Sequence, residues 1–90
     1  MSDVNRVLLS VYLKECRVKA GLTQRDISAK LGYTSPQFIS NWERGKSQPP
    51  LNVVRKLIKL YSINRDELFD ILLNQTIIDV TRELRKKFYQ

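Results

Sequence analysis

The 90-residue sequence contains no histidine and one cysteine, Cys16. The absence of histidine removes the side chain that most often serves as a general base or a metal ligand. A single cysteine excludes an internal disulfide and a zinc site built from several thiolates. No nucleophile–base pair or phosphate-binding loop is recognisable. We therefore expect no enzymatic activity, no metal and no cofactor.

The sequence also lacks a long hydrophobic run. No apolar stretch approaches the roughly 20 residues that a membrane-spanning helix needs. Residues 7–13 have the length of a signal-peptide core, but Asp3 precedes them, a Lys-Glu pair follows them, and no small-residue cleavage site is present. We therefore expect a soluble protein of the reducing cytoplasm, without a signal peptide or a membrane partner.

Acidic residues are scarce in the middle of the chain. The sequence has 16 Lys and Arg against 9 Asp and Glu, a net charge of +7. Residues 14–59 contain ten of the basic and three of the acidic residues, whereas the rest of the chain has six of each. A basic segment in a neutral chain is typical of a surface that faces a polyanion such as nucleic acid, although general solubility would also explain it.

Glycines and helix-capping pairs divide the first third of the chain into two helices. The apolar pattern predicts a first helix over residues 4–20, which ends at Gly21. Thr23 and Asp26 have the spacing of a capping box and predict the start of a second helix, which ends at Gly32. We interpret the single cysteine as a small hydrophobic residue of the core.

Three more helices follow. A serine N-cap and a proline at the first helical position predict a third helix over residues 35–44, which Gly45 ends. The proline pair at 49–50 opens a fourth helix. Asn64 and Glu67 predict a second capping box at the start of a fifth helix. No segment shows the alternation of a strand, so the predicted class is all-α with five helices.

The second and third helices, joined by a tight turn at residues 32–34, form a helix-turn-helix pattern that suits the major groove of DNA. The segments GLTQRDISAKLG, QFISNWERGKSQPP and LFDILL resemble the lambda-repressor-like helix-turn-helix domains of the Cro and Xre group. The resemblance extends from Leu9 to Leu73. It implies a five-helix domain that binds an operator in double-stranded DNA as a homodimer and regulates transcription, as a bacterial or phage repressor does.

The resemblance also implies roles for individual residues. It places base contacts in and just before the third helix, at Gln37, Asn41, Ser40, Phe38 and Ser35. It places phosphate contacts at Gln24, Arg25, Arg44 and Lys46. It implies a structural ion pair between Arg17 and Glu43. Carboxamides suit base reading because they pair bidentately with adenine. Three further basic residues fit either a solvated helix face or flanking phosphates: Arg55, Lys56 and Lys59.

The turn before the third helix departs from the usual pattern of these domains. The segment LGYTSPQFISN has one residue more between Gly32 and Ile39. Either the turn is longer, or Pro36 begins the helix at a position where a base-reading side chain often stands. The predicted set of base-contacting residues can therefore shift by one position, with Ser35 as the substitute. Trp42 follows Ile39 by three residues and is expected to point into the core.

Residues 74–90 form a C-terminal extension beyond the predicted DNA-binding domain, residues 1–73. Apolar residues recur in this region at a spacing of three and four, typical of a coiled coil, at Leu73, Ile77, Val80 and Leu84, with Phe88 beyond them. The first helix has a spare apolar stripe at Val4, Leu8, Val11 and Val18. We predict that the extension is helical and packs on its own chain or across a dimer. The β-branched residues at 76–81 leave a break or a short strand as an alternative.

A second functional interpretation competes with DNA binding. The chain would then be a protein-interaction module, such as an antitoxin whose C-terminal segment binds a partner protein. Salt dependence separates the two interpretations, because binding through phosphates weakens steeply as salt rises.

Overall fold

A computed structural model describes residues 8–90, and all regular structure within this range is helical. The predicted all-α class with five helices is confirmed. In chain order the helices are α1 Leu9–Lys19, α2 Gln24–Leu31, α3 Gln37–Glu43, α4 Leu51–Leu60 and α5 Arg65–Phe88. The extension predicted as helical continues α5 without interruption.

The first helix is shorter at its N-terminus than predicted. Residues 4–7 of the predicted helix lie outside the described residues. Leu8 has extended backbone angles (φ −73°, ψ 137°), and its carbonyl accepts the first helical hydrogen bond from Tyr12 N at 3.0 Å. These are the properties of an N-cap residue, so α1 begins at Leu9. At the other end, α1 ends at Lys19 with Ala20 as its C-cap, and the predicted glycine terminator is confirmed, because Gly21 follows the cap with a positive φ of 74°.

The first predicted capping box is present and the second is half formed. Thr23 Oγ1 accepts from Asp26 N at 3.0 Å, and Asp26 Oδ2 accepts from Thr23 N at 2.9 Å. At α5, Asn64 Oδ1 accepts from Glu67 N at 3.0 Å. The Glu67 carboxylate does not complete this box, because it accepts from the Tyr12 hydroxyl on α1 at 3.1 Å instead.

The third helix is shorter than the predicted range 35–44. Pro36 is its N-cap, because the Pro36 carbonyl accepts the first helical hydrogen bond from Ser40 N at 3.0 Å. At the other end, Lys46 N donates to Asn41 O at 2.9 Å and Gly45 has a φ of 75°. This left-handed closure costs glycine little, and it ends the helix at Glu43.

The fifth helix remains regular through its β-branched segment. Thr76 Oγ1 donates to Leu72 O at 2.8 Å, so the hydroxyl is bonded within the helix. The predicted alternative of a break or a strand at residues 76–81 is therefore wrong.

The hydrophobic core gathers side chains from all five helices and from the loop before α5. Its buried members are Leu9, Leu13, Ile27, Ile39, Trp42, Val53, Val54, Leu57, Tyr61, Ile63, Leu68 and Ile71. Cys16 is partly buried and packs against this cluster as a small hydrophobic residue, and burial raises the pKa of its thiol. Among the helices of residues 8–90, none combines the length and the apolarity that crossing a membrane requires.

Candidate nucleic-acid interface

The third helix presents two different faces. Ile39 and Trp42 point into the core and are 1% and 4% exposed. Gln37 and Phe38 are exposed, and Ser40 and Asn41 are intermediate in exposure. Because Ile39 and Trp42 fix the rotation of this short helix, its other side is directed away from the core.

Three polar side chains form a connected row on the outer face of α3. Gln37 Nε2 donates to Asn41 Oδ1 at 3.0 Å, and an Arg44 guanidinium N–H donates to the same oxygen at 3.2 Å. The two carboxamides and the guanidinium thus hold one another in position. All three groups are among those that pair with base edges or phosphates.

A buried serine shapes the long turn between α2 and α3. The Ser28 hydroxyl lies within hydrogen-bond distance of two carbonyls of the turn, Tyr33 O at 3.3 Å and Ser35 O at 2.7 Å. Ser28 is 3% exposed, so these contacts attach the turn to the buried side of α2. The turn spans residues 32–36, and α3 begins after it at Gln37 rather than at Pro36.

Aromatic packing fixes the same turn from its other side. The Tyr33 ring lies 4.9 Å from the Phe38 ring and 6.0 Å from the Trp42 ring, measured between centroids. Phe38 is nevertheless 53% exposed, so it keeps apolar surface on the outside. Ser35 is exposed, and its hydroxyl accepts from Gln37 N at 3.4 Å, which places it beside the first turn of α3.

An ion pair holds the C-terminal end of α3. The Arg17 guanidinium donates to both Glu43 carboxylate oxygens, from Nε at 2.7 Å and from a terminal nitrogen at 3.1 Å. The side chains are 12% and 3% exposed, and Arg17 also donates to Leu22 O at 2.8 Å. The hydrogen bond to Glu43 raises the pKa of Arg17. The geometry is that of an architectural clamp between α1 and α3.

The same carboxylate positions the start of α2. Gln24 Nε2 donates to Glu43 Oε1 at 3.0 Å, so the first residue of α2 lies against the last residue of α3. This contact uses one of the two N–H donors of the Gln24 amide. Arg25, Arg44 and Lys46 are exposed. The residues predicted to contact phosphates therefore belong to the N-terminus of α2 and to the segment directly after α3.

The apolar residues of the C-terminal extension are exposed. The exposed fractions are 46% for Leu73, 53% for Ile77, 58% for Val80, 63% for Leu84 and 74% for Phe88. Leu8, just before α1, and Val11 and Val18 on α1 are also exposed. Val4 of the spare stripe lies outside the described residues, so packing of the seam on its own chain or across a dimer stays a prediction. The side of α5 that packs on the bundle is the one that carries Leu68 and Ile71, which are buried.

Comparison with known proteins places this geometry in a class. The helix-turn-helix family profile matches residues 13–68, which include α2, α3 and the turn between them. The HTH-type transcriptional regulator ImmR of Bacillus subtilis (strain 168) is 35% identical over 87 residues, covering 86% of this chain and 68% of the relative. No solved structure matches the chain significantly. The chain belongs to the Cro/Xre-like helix-turn-helix family, whose members are generally not enzymes, and this membership supports a DNA-binding regulator.

Sequence reasoning missed the residues that shape the interface from behind. Ser28 and Tyr33 were not selected, although they hold the turn that carries Ser35. A serine in the apolar stripe of a helix gives only a weak signal, because serine is tolerated at many helix positions. The contact between Gln24 and Glu43 was also missed, because it joins two residues that are distant in sequence.

Proposed function

We propose that this chain is a transcriptional repressor that binds a specific double-stranded DNA site as a dimer, with α3 in the major groove. Repression requires only that a bound protein occupies its operator. Base contacts come from Gln37, Asn41, Ser40, Phe38 and Ser35, and phosphate contacts come from Gln24, Arg25, Arg44 and Lys46.

The observation that carries the proposal is the outward row of Gln37, Asn41 and Arg44. Gln37 stands in the first turn of α3, which is the part of a recognition helix that reaches base edges. Its hydrogen bond to Asn41 holds both amides on one face before DNA arrives. A preorganised donor and acceptor set loses less side-chain entropy on binding.

The basic residues supply the second part of the proposed mechanism. Arg25 at the start of α2 and Arg44 after α3 are exposed, at neighbouring helix ends joined by the Gln24–Glu43 contact. Cations at these places fit phosphates on either side of a groove that contains α3. Phosphate contacts set the position of the protein on the duplex, and the amides then discriminate the sequence.

The small size of the reading element supports a dimer. The third helix has seven residues, so one copy contacts only a few base pairs. Two copies that read half-sites about one helical turn apart multiply the specificity.

Selection of bound duplexes from a random pool tests the proposal. We expect enrichment of one site with two-fold symmetry, bound about a thousandfold more tightly than random DNA. A pool that shows no enrichment after repeated rounds, with binding equal on all sequences, would contradict sequence-specific reading.

A protein-interaction module is the second candidate function, and the exposed apolar seam of α5 favours it. In this case the C-terminal half of α5 binds a partner protein, as an antitoxin binds its toxin. The two candidates differ in salt dependence. Binding to DNA loses affinity with a log–log slope of about −0.9 per phosphate neutralised, whereas apolar association has no such slope.

A further inference from the structure

We infer that a second copy of this chain docks antiparallel along residues 73–84 of α5. The contact surface is the α5 seam, defined here as Leu73, Ile77, Val80 and Leu84. The inference rests on the dimer of the proposed function and adds the interface and the relative direction of the two chains.

Within residues 8–90, the side chains of the α5 seam remain largely uncovered. Its four side chains are 46% to 63% exposed. The packed side of the same helix carries Ile71, which is 1% exposed, and Gln75, whose side-chain oxygen accepts from Leu9 N at 3.4 Å. The seam and the packed side thus point in different directions, so one helix can contact its own bundle and a second chain at once.

The end of α5 also has little support from the part of the chain that the structure describes. Every residue from 80 to 90 is exposed. An isolated helix of this length is marginal in water, and the β-branched residues Ile77, Ile78, Val80 and Thr81 lower its helix propensity further. Burial of the seam against another helix supplies stabilisation of the kind that ordinarily comes from tertiary packing.

The side chains of the α5 seam are self-complementary when two copies run in opposite directions. With the two-fold axis between residues 78 and 79, Leu73 lies level with the partner's Leu84, and Ile77 lies level with the partner's Val80. Each layer then joins two aliphatic side chains of equal or nearly equal size. The spacing of three and four residues keeps all four on one stripe of the helix.

The charges next to the seam select the antiparallel arrangement over the parallel one. Asp70 and Lys87 continue the same spacing on either side of the four apolar residues, and both are exposed. In the antiparallel pair, Asp70 lies level with the partner's Lys87, so opposite charges face each other at both ends. In a parallel pair in register, Asp70 would face Asp70 and Lys87 would face Lys87. Like charges in facing positions disfavour that arrangement.

Cross-linking between single cysteines tests the direction. Leu73→Cys and Leu84→Cys are each made in a Cys16→Ala background, and a bismaleimide with a two-carbon spacer is added. The antiparallel pair separates the two copies of residue 73 by about 16 Å along the helix axis, from eleven residues at a rise of 1.5 Å. We expect covalent dimers when the two variants are mixed and few when Leu73→Cys is alone. Efficient cross-linking of Leu73→Cys alone would overturn the inference.

Charge reversal gives a second test that leaves the apolar seam intact. Asp70→Lys and Lys87→Asp each place like charges at both ends of the antiparallel pair, and each should weaken dimerisation about tenfold. The double variant restores opposite charges and should regain the original affinity. Arg85→Asp is the control, because it makes the same charge change as Lys87→Asp outside the seam. If the double variant instead loses as much dimer affinity as the two single variants lose together, the antiparallel pairing is contradicted.

The mass of the unmodified chain separates this inference from the proposed function. If the unmodified chain has a dimeric mass but the mixture of variants does not cross-link, the interface lies elsewhere. This result overturns the inference and leaves the DNA-binding dimer in place. A monomeric mass both free and on the selected duplex overturns the dimer and the inference together, while Gln37-dependent DNA binding remains a separate result.

Discussion

The two halves of α5 have similar apolar content and opposite surroundings. In residues 65–75, Leu68 and Ile71 are 2% and 1% exposed, and Gln75 contacts the first residue of α1. In residues 76–88, Ile77 is 53% and Leu84 is 63% exposed. The side chains that α5 buries in the core therefore come from its first half, whereas the second half meets the bundle through a polar contact, in which Gln48 donates to Asp79 at 2.8 Å. The second half shows that a regular apolar spacing predicts a contact surface. It does not predict whether the same chain or another chain covers that surface.

Truncation of matched aliphatic side chains in the two halves should give the largest contrast. Ile71→Ala leaves a cavity in the core and should lower the free energy of unfolding by about 4 kcal/mol. Leu84→Ala removes an exposed side chain and should leave the unfolding of a dilute, monomeric sample nearly unchanged. Chemical denaturation at low and high protein concentration measures both. Equal losses for the two variants in the dilute sample would remove the distinction between the halves.

The ion pair that anchors α3 should give the next largest effect. Arg17→Met leaves the Glu43 carboxylate buried without its main partner and should cost about 3 kcal/mol of stability. The double variant Arg17→Met with Glu43→Leu removes both charges and should regain much of this loss. Denaturant unfolding measures both variants. If the double variant is less stable than Arg17→Met, the loss in Arg17→Met does not come mainly from an unpaired buried carboxylate.

A phosphate-contacting cation should affect binding without affecting the fold. Lys46→Ala should weaken binding to specific and random DNA by a similar factor, about fivefold, and make the log–log salt slope less negative by about 0.9. Lys19→Ala on α1 is the matched control and should leave the slope unchanged. A loss confined to the specific site would place Lys46 among the base-contacting residues instead.

The cap of α2 should give the smallest effect, and one that depends on pH. Hydrogen bonds with Thr23 lower the pKa of Asp26 below its ordinary value. The ionised form is therefore favoured by folding, and its contribution is present above the unfolded pKa of about 3.9 and is lost as the pH falls through the lower folded pKa. Asp26→Asn should lower the Tm slightly at neutral pH, and the difference from the unmodified chain should disappear in strong acid. A difference that stays constant with pH would contradict this assignment.

Local signals in the sequence predicted much of the fold. The glycines at 21 and 45 and the Thr23–Asp26 box mark helix ends that the structure contains. These signals are short-range, because caps and left-handed turns depend on a few neighbouring residues. The inward direction of Ile39 and Trp42 also followed from their spacing alone.

The remaining features depend on contacts between distant residues. The sequence assigned Glu67 to its own cap, but the Tyr12 hydroxyl on α1 is its partner. The sequence did not determine what covers the α5 seam, because the same apolar spacing fits packing on its own chain and packing on a second copy. The sequence predicts the start of α3 at residue 35, but the helix begins at Gln37. The hydrogen bonds of Ser28 with the turn and of Ser40 N with Pro36 O fix this start. Local patterns in a single sequence do not predict such contacts between distant residues.

The affinity of Gln37→Ala for the selected duplex and for random DNA tests the central claim most directly. Gln37 is exposed and makes no contact with the core, so the variant should fold normally; Glu15→Gln on α1 is a control for surface substitution. We expect a loss of about 1–3 kcal/mol on the selected duplex and almost none on random DNA. Equal losses on both, or no loss on either, would contradict base reading by the outer face of α3.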